Sequence, residues 1–96
     1  MSNKIKVIKF PVGSDPLVLE IGDDLDAMQA QVGGMIQIVE VDGLDLVCNE
    51  EGLILELPFN RIVGGHYIHG DFFFTRHDDE GGTTSVTKDD IKRLVR

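Results

Sequence analysis

The second half of the chain holds three histidines, His66, His69 and His77, close enough in sequence to suggest metal binding. On an extended strand, His66 and His69 point to opposite faces, so this His-x-x-His spacing does not chelate one ion as it would on a helix. His69 and His77 share a face with Asp71, but eight residues of strand separate the two histidines by about 27 Å. We therefore predict no metal site here, and a polar strand face instead.

Two adjacent acidic residues, Glu50 and Glu51, are the candidates for acid–base chemistry. In an extended segment their side chains diverge, so only one can enter a given pocket. General acid–base catalysis needs a carboxylate in an apolar site with a positioned partner. Asn49 shares a face with Glu51, which permits a polar site at the end of a strand, but turn formation explains Asn-Glu-Glu-Gly equally well. The sequence therefore identifies no catalytic residue.

The glycine-rich segments and the single cysteine give no sign of cofactor chemistry. Gly33-Gly34 follows a predicted helix, whereas a phosphate-binding loop precedes one, and no Gly-Lys-Ser/Thr ending is present. Cys48 lies in an apolar run, which favours a buried, inert thiol, and as the only cysteine it forms no internal disulfide. We predict no cofactor.

The best-specified unit is a β-hairpin between Met35 and Asn49. Met35 to Val41 is rich in β-branched residues, Asp42-Gly43 is the strongest short-range hairpin signal, and Leu44 to Asn49 resumes alternation. The turn fixes the register, which we expect to bury the side chains Ile36, Ile38, Leu44, Leu46 and Cys48.

Further strands are predicted on both sides of this hairpin. Lys4 to Phe10 predicts a strand with a bulge near Ile8, and Leu17 to Ile21 predicts its hairpin partner. Three leucines, Leu53, Leu55 and Leu57, suggest a short return segment, and Phe59 to Gly65 reads as irregular. The remaining strands are His66 to Arg76, whose three consecutive phenylalanines indicate cover on both faces, and a partner for it within Thr83 to Val86.

Two short helices complete the pattern. The first starts after Asp23 or Asp24 and ends at Gly33-Gly34, with one glycine in a left-handed conformation. Its core-facing residues are predicted to be Leu25, Met28 and Val32. The second begins at a capping signal formed by Thr87 and Asp90. Its inward residues are predicted to be Ile91, Leu94 and Val95, and its basic residues Lys92, Arg93 and Arg96 suit the negative end of the helix.

These elements predict an α+β fold: a mainly antiparallel sheet of five to six strands with a short central helix and a C-terminal helix. Ninety-six residues fit one domain, residues 1–96, with a modest core that oligomerisation would help to stabilise. No apolar stretch reaches the length of a membrane span, and the N-terminus lacks the apolar region of a signal peptide, so we expect a cytoplasmic protein without membrane contact.

Charge is distributed unevenly along the chain, whose net charge is −8. No Lys or Arg occurs from Phe10 to Asn60. The acidic residues of that span are Asp15, Glu20, Asp23, Asp24, Asp26, Glu40, Asp42, Asp45, Glu50, Glu51 and Glu56. Direct nucleic-acid binding is disfavoured, because affinity for phosphate backbones comes from clustered cations.

Several motifs together resemble one family. Val32-Gly33-Gly34 is followed by a strand pair ending in Asn49-Glu50-Glu51-Gly52, then by LPFN, HGDFFF and TKDDI. This combination, from Gln29 to the end, resembles the family known as domain of unknown function DUF3846, which is found in phages, prophages and plasmids. The resemblance implies a mobile-element context. It implies no activity and no catalytic residue, because none is established for the family.

That context favours a non-enzymatic accessory protein, which would counter host defence by binding a host protein or a small ligand such as a nucleotide signal. The ligand site is expected at a homo-oligomer interface, where Arg61 and Arg76 would grip an anion. The candidate ligand-binding residues are Asn49, Glu50, Glu51, Asn60, Arg61, His69 and Arg76. An acidic decoy that mimics DNA is one alternative, suggested by the base-free span, and a small hydrolase using Glu50 or Glu51 is another.

Overall fold

The computed structural model describes residues 3–95. The elements, in chain order, are β1 (Lys4–Phe10), β2 (Leu17–Gly22), α1 (Leu25–Val32), β3 (Ile36–Val41), β4 (Leu44–Asn49), β5 (Phe59–Val63), β6 (His66–His69), β7 (Phe72–His77), β8 (Thr83–Thr84) and α2 (Lys88–Leu94). Six strands form an antiparallel sheet in the order β2-β1-β7-β4-β3, with β8 paired to β7, and β5 and β6 form a separate two-stranded ribbon. The predicted α+β fold is confirmed.

The central strand β7 is covered on both faces, as its three consecutive phenylalanines predict. Phe72 and Phe74 belong to one hydrophobic cluster, and Phe73 belongs to the other, on the opposite face. Helix α1 covers the Phe73 face with Met28 and Val32. The opposite face is covered by the β5–β6 ribbon and by α2, whose apolar residues pack there as predicted. The sheet is therefore the middle layer of the molecule.

Strand β1 contributes to both clusters without a bulge. Its register with β2 runs unbroken from the pair Lys4 and Gly22 to the pair Lys9 and Leu17. Ile5 and Val7 face α1, whereas Ile8 and Phe10 face the opposite side. The predicted bulge near Ile8 is wrong, because two adjacent apolar residues here reflect a sheet that is buried on both faces.

The β3–β4 hairpin forms as predicted, with Val41 paired to Leu44. Asp42 and Gly43 both have positive φ, 51° and 80°, which is the signature of a type I′ turn. The predicted residues of β4 are buried, but Ile38 on β3 is 57% exposed. The prediction for Ile38 is wrong because β3 is an edge strand, and only Ile36 in it packs on the cluster beneath α1.

Helix α1 has the predicted boundaries. The Asp24 carboxylate accepts a hydrogen bond of 2.7 Å from the Ala27 N–H, and Gly33 ends the helix in a left-handed conformation. Met28 and Val32 are buried as expected, whereas Leu25 is 54% exposed. The prediction for Leu25 is wrong, since the first turn of the helix extends beyond the buried cluster.

The segment between β4 and β7 differs most from the prediction. Residues 50–56 form consecutive turns instead of a return strand, and 59–63, predicted to be irregular, is a strand. The predicted long strand from His66 is interrupted at Gly70, whose φ of 87° suits glycine, so β6 leaves the main sheet. A Cβ at Gly70 would lie 2.8 Å from Leu57 Cδ1, so Leu57 packs directly on this break.

Helix α2 is attached to the sheet by a buried carboxylate. Thr87 and Asp90 form the predicted capping box, and Asp90 is only 2% exposed. Its carboxylate accepts hydrogen bonds from Arg76 Nε at 2.6 Å and Arg76 Nη2 at 2.7 Å. The Arg76 guanidinium therefore holds the pKa of Asp90 well below its usual range. Lys92 and Arg93 lie in the last turn as predicted, and Arg96 lies outside the described residues.

None of the helices in the described part of the chain has the length and apolar character needed to cross a membrane.

Asp90→Asn should lower the free energy of unfolding by about 2 kcal/mol at neutral pH, because charge-assisted bonds to a buried carboxylate are lost. The pKa of Asp90 is lower in the folded than in the unfolded chain, so the ionised carboxylate stabilises the fold fully above the unfolded pKa of about 3.9. The difference in free energy of unfolding between the natural chain and Asp90→Asn should therefore shrink as the pH falls below about 4. Urea denaturation across pH measures both effects. The matched control is Asp89→Asn, which removes the same charge from an exposed neighbour; equal losses in the two variants would contradict this role.

Candidate functional site

Asn49, at the end of β4, connects α1 to the turns that follow it. The residue is 5% exposed. Its Nδ2 donates a hydrogen bond of 3.1 Å to the Val32 carbonyl, and its Oδ1 accepts one of 2.7 Å from the Glu51 N–H. The side chain therefore satisfies one carbonyl at the end of the helix and one N–H of the turn. Its bonds in this structure are internal to the protein.

Two glycines allow the close packing around Asn49. A Cβ at Gly34 would lie 3.0 Å from Asn49 Nδ2, and a Cβ at Gly52 would lie 2.8 Å from the His69 carbonyl oxygen. The Val-Gly-Gly and Asn-Glu-Glu-Gly motifs thus meet in one packed junction between α1, β4 and β6. This junction explains why the two motifs occur together, and it sets the position of residues 50–56.

A cavity of about 220 Å³ lies beside this junction, between the ends of β3 and β4, strand β6 and the turn that carries Leu53. Three predicted site residues line it: Asn49, Glu50 and His69. His66 and Tyr67 on β6 also line it. The cavity is smaller than the roughly 300–1,000 Å³ of most small-molecule pockets, so it suits one side chain better than a nucleotide.

The His69 side chain is held by contacts with Leu57 and Phe59. Its Nδ1 lies 3.2 Å from the Leu57 carbonyl oxygen, which only accepts hydrogen bonds, so this nitrogen carries the proton. The Phe59 ring meets the imidazole edge to face, with centroids 5.5 Å apart. His69 is thus a fixed, half-buried polar group on the wall of the cavity.

The other predicted site residues lie outside the cavity. Glu51 is exposed in the turn. Asn60 Nδ2 donates to the carbonyls of Phe10 at 2.8 Å and Gly70 at 3.0 Å, so its amide fastens the ribbon to β1. Arg61 Nε donates to Asn60 Oδ1 at 3.1 Å, and its guanidinium lies 4.7 Å from the centre of the Phe10 ring.

Arg76 is also engaged in the structure, through its two bonds to Asp90. The structure therefore brings Asn49, Glu50 and His69 together and places Arg61 and Arg76 elsewhere. Neither arginine lines the cavity, whereas the Glu50 carboxylate does. The polar groups of the cavity therefore do not favour an anionic ligand.

Cys48 lines the cavity but is a buried residue. Burial raises the pKa of its thiol, so the thiolate is disfavoured near neutral pH. This agrees with the prediction of an inert thiol.

Beside the cavity lies an apolar surface that sequence reasoning did not identify. It consists of Leu53, Phe59, Ile62 and Tyr67, which are exposed by 73%, 49%, 54% and 70%. Ile62 and Tyr67 are cross-strand partners, the Phe59 and Tyr67 ring centroids are 6.4 Å apart, and Leu53 shares the cavity wall with Tyr67. The sequence did not predict this surface, because Leu53 to Leu57 was predicted to be a return strand and Phe59 to Gly65 to be irregular.

The fold and this site define a small α+β protein with a shallow cavity next to an exposed apolar surface. The chain belongs to the family described as domain of unknown function DUF3846, whose model matches residues 5–96. This confirms the family resemblance, which was expected to cover only Gln29 to the end, and extends it to β1. Searches of curated proteins and of solved structures each gave no match.

Asn49→Asp should lower the free energy of unfolding by about 2 kcal/mol, because it removes the donor to Val32 and places a carboxylate against that carbonyl. Urea denaturation at pH 7 measures the change. Asn3→Asp makes the same substitution at an exposed position. If the two variants were equally stable, Asn49 would not be the structural junction described above.

Proposed function

We propose that this protein is a non-enzymatic binding module that engages a partner protein through the apolar surface formed by Leu53, Phe59, Ile62 and Tyr67. The observation that supports this most strongly is their exposure, 49% or more for each of four large side chains at adjoining positions. Singly exposed apolar residues are common in proteins, but contiguous groups mark sites of interaction. Aromatic residues such as Phe59 and Tyr67 are also enriched at the centres of protein interfaces.

Charge indicates what kind of partner fits. Three exposed carboxylates, Glu50, Glu51 and Glu56, lie in the same run of turns as Leu53. Two copies of this chain joined through the apolar surface would bring these like charges together, which is unfavourable. A partner with an apolar patch surrounded by Lys and Arg complements both features. We therefore favour a different protein over self-association as the occupant.

The cavity adds a specific contact to this interface. Its volume of about 220 Å³ admits one side chain, and both Glu50 and Tyr67 line it. An Arg or Lys side chain of the partner would pair with the carboxylate and lie against the aromatic ring. The family resemblance implies a mobile-element context. On that basis we further propose that the partner is a host protein in the cytoplasm and that binding counters host defence.

A photo-crosslinking amino acid at Tyr67 should trap this partner in producing cells, whereas the same group at Leu17, a 39% exposed residue on the far edge of the sheet, should not. Leu53→Asp should then weaken binding of the purified partner by at least about tenfold in calorimetry, because hot-spot residues carry about 2 kcal/mol or more. Leu17→Asp is the control and should bind normally.

Three outcomes would contradict the proposal. Equal crosslinking from the two positions would show that contact is non-specific. Crosslinks formed only between copies would show that the apolar surface joins two chains of this protein. Unchanged affinity of Leu53→Asp would place the contact elsewhere.

A small ligand in the cavity is the second candidate, favoured by the convergence of Asn49, Glu50 and His69 on one wall. Such a ligand would be neutral or cationic, since Glu50 is the charged group that faces it. Native mass spectrometry of the purified protein should show retained mass that Glu50→Gln reduces. Retained nucleotide would instead support the anionic ligand that the cavity does not favour.

The two remaining alternatives predict different behaviour. A DNA-mimicking decoy should lose its partner steeply as salt rises, whereas a contact that is mainly apolar, with few ion pairs, should weaken much less. A hydrolase needs Glu50 or Glu51 in an apolar setting, but both are exposed to water. We therefore propose no catalysis, and any turnover seen with purified protein should survive Glu50→Gln and Glu51→Gln.

A further inference from the structure

Three side chains with atoms capable of ligating a metal lie close together on one face of the sheet, near the end of β4 that is farthest from Asn49. Glu40 on β3 pairs with Asp45 on β4, and Asp45 pairs with Thr75 on β7. His77 lies two residues beyond Thr75 and therefore on the same face. Ligand atoms of Glu40, Asp45 and His77 all lie within 4.8 Å of one another.

We propose that Glu40, Asp45 and His77 form a binding site for a divalent first-row transition metal such as Zn²⁺. The donor set is two carboxylate oxygens and one imidazole nitrogen. Imidazole suits Zn²⁺ and its neighbours, whereas Mg²⁺ and Ca²⁺ prefer oxygen ligands alone. With three protein ligands, water would complete the coordination.

The electrostatics of the cluster favour a cation. Within residues 3–95, the ion pairs include no Lys or Arg beside Glu40 or Asp45. The Asp45 side chain is only 15% exposed, and its Oδ2 lies 2.8 Å from His77 Nδ1. A divalent ion held between them would compensate the charges of both carboxylates.

Acidic groups surround the His77 imidazole. Hydrogen bonding to Asp45, with further attraction from Asp45, Glu40 and Asp78, raises the pKa of His77. The same arrangement of negative charge around the ring would attract a metal cation.

The backbone already holds these ligands in place. They come from three neighbouring strands of one sheet, whose registers are fixed. Metal binding would therefore require the three side chains to become ordered, but no rearrangement of the backbone. The sequence does not reveal the site, because Asp45 precedes His77 by 32 residues and the strand order β7-β4-β3 brings them together.

Titration calorimetry of the full chain with ZnCl₂ at pH 7.5 or so should show one site, which MgCl₂ at equal concentration does not occupy. His77→Gln and Glu40→Gln should each weaken Zn²⁺ binding by at least about tenfold, as loss of even supporting groups costs 10–100-fold. The matched controls are His66→Gln and Glu56→Gln, which make the same substitutions at exposed positions away from the cluster.

NMR of the histidine side chains gives a second readout, in which Zn²⁺ should shift the His77 imidazole and leave His66 unchanged. No Zn²⁺ uptake by the natural chain would overturn the proposal. So would uptake that His77→Gln leaves intact, because the ion would then be held by the acidic surface in general. His77 is exposed, so its replacement should not prevent folding. The cluster lies on the Phe73 face of the sheet, whereas the ribbon covers the opposite face, so its failure would leave the proposed function unaffected.

Discussion

The central constraint in this molecule is a strand that must be buried on both faces. The three phenylalanines of β7 point alternately to the two sides of the sheet, and none is more than 4% exposed. Each face therefore needs a cover. Helix α1 supplies one. The other is made by α2 and by a two-stranded ribbon, which buries Ile68 on its inner side.

A ribbon used as a cover has an outer face as well. Ile62 and Tyr67 lie there, directly opposite each other, and nothing in the described chain packs over them. The break at Gly70 is what turns the ribbon away from the sheet, and the packing of Asn49, Gly34 and Gly52 places the Leu53 turn beside it. The same features that complete the core thus assemble the surface that we propose for binding.

Local signals predicted much of this architecture. Asp42-Gly43 fixes a hairpin, Asp24 and Gly33 bound α1, and Thr87 with Asp90 caps α2. These features depend on a few neighbouring residues. Three predictions were wrong: the bulge at Ile8 and the burial of Leu25 and of Ile38. Each depends on which parts of the sheet faces are covered by other elements, and the sequence pattern does not show the order of the layers.

The candidate site was predictable only in part. Asn49, Glu50 and His69 meet, because the end of β4 and the end of β6 are adjacent in space. The apolar surface was missed because the alternation of Leu53, Leu55 and Leu57 predicts a strand where the chain forms turns, and because the strand Phe59–Val63 was expected to be irregular. The Glu40, Asp45 and His77 cluster required the strand order. In each case the missing information was a contact between segments distant in sequence.

The central claim is that the outer face of the ribbon is free in the isolated protein and covered by another protein in the cell. Hydroxyl-radical footprinting tests it directly, by comparing side-chain oxidation of the purified chain with that in producing cells. We expect Tyr67 and Leu53 to be oxidised in the purified chain and protected in cells, with Leu17 oxidised equally in both. Equal oxidation of Tyr67 in both settings, or protection already present in the purified chain, would contradict the account.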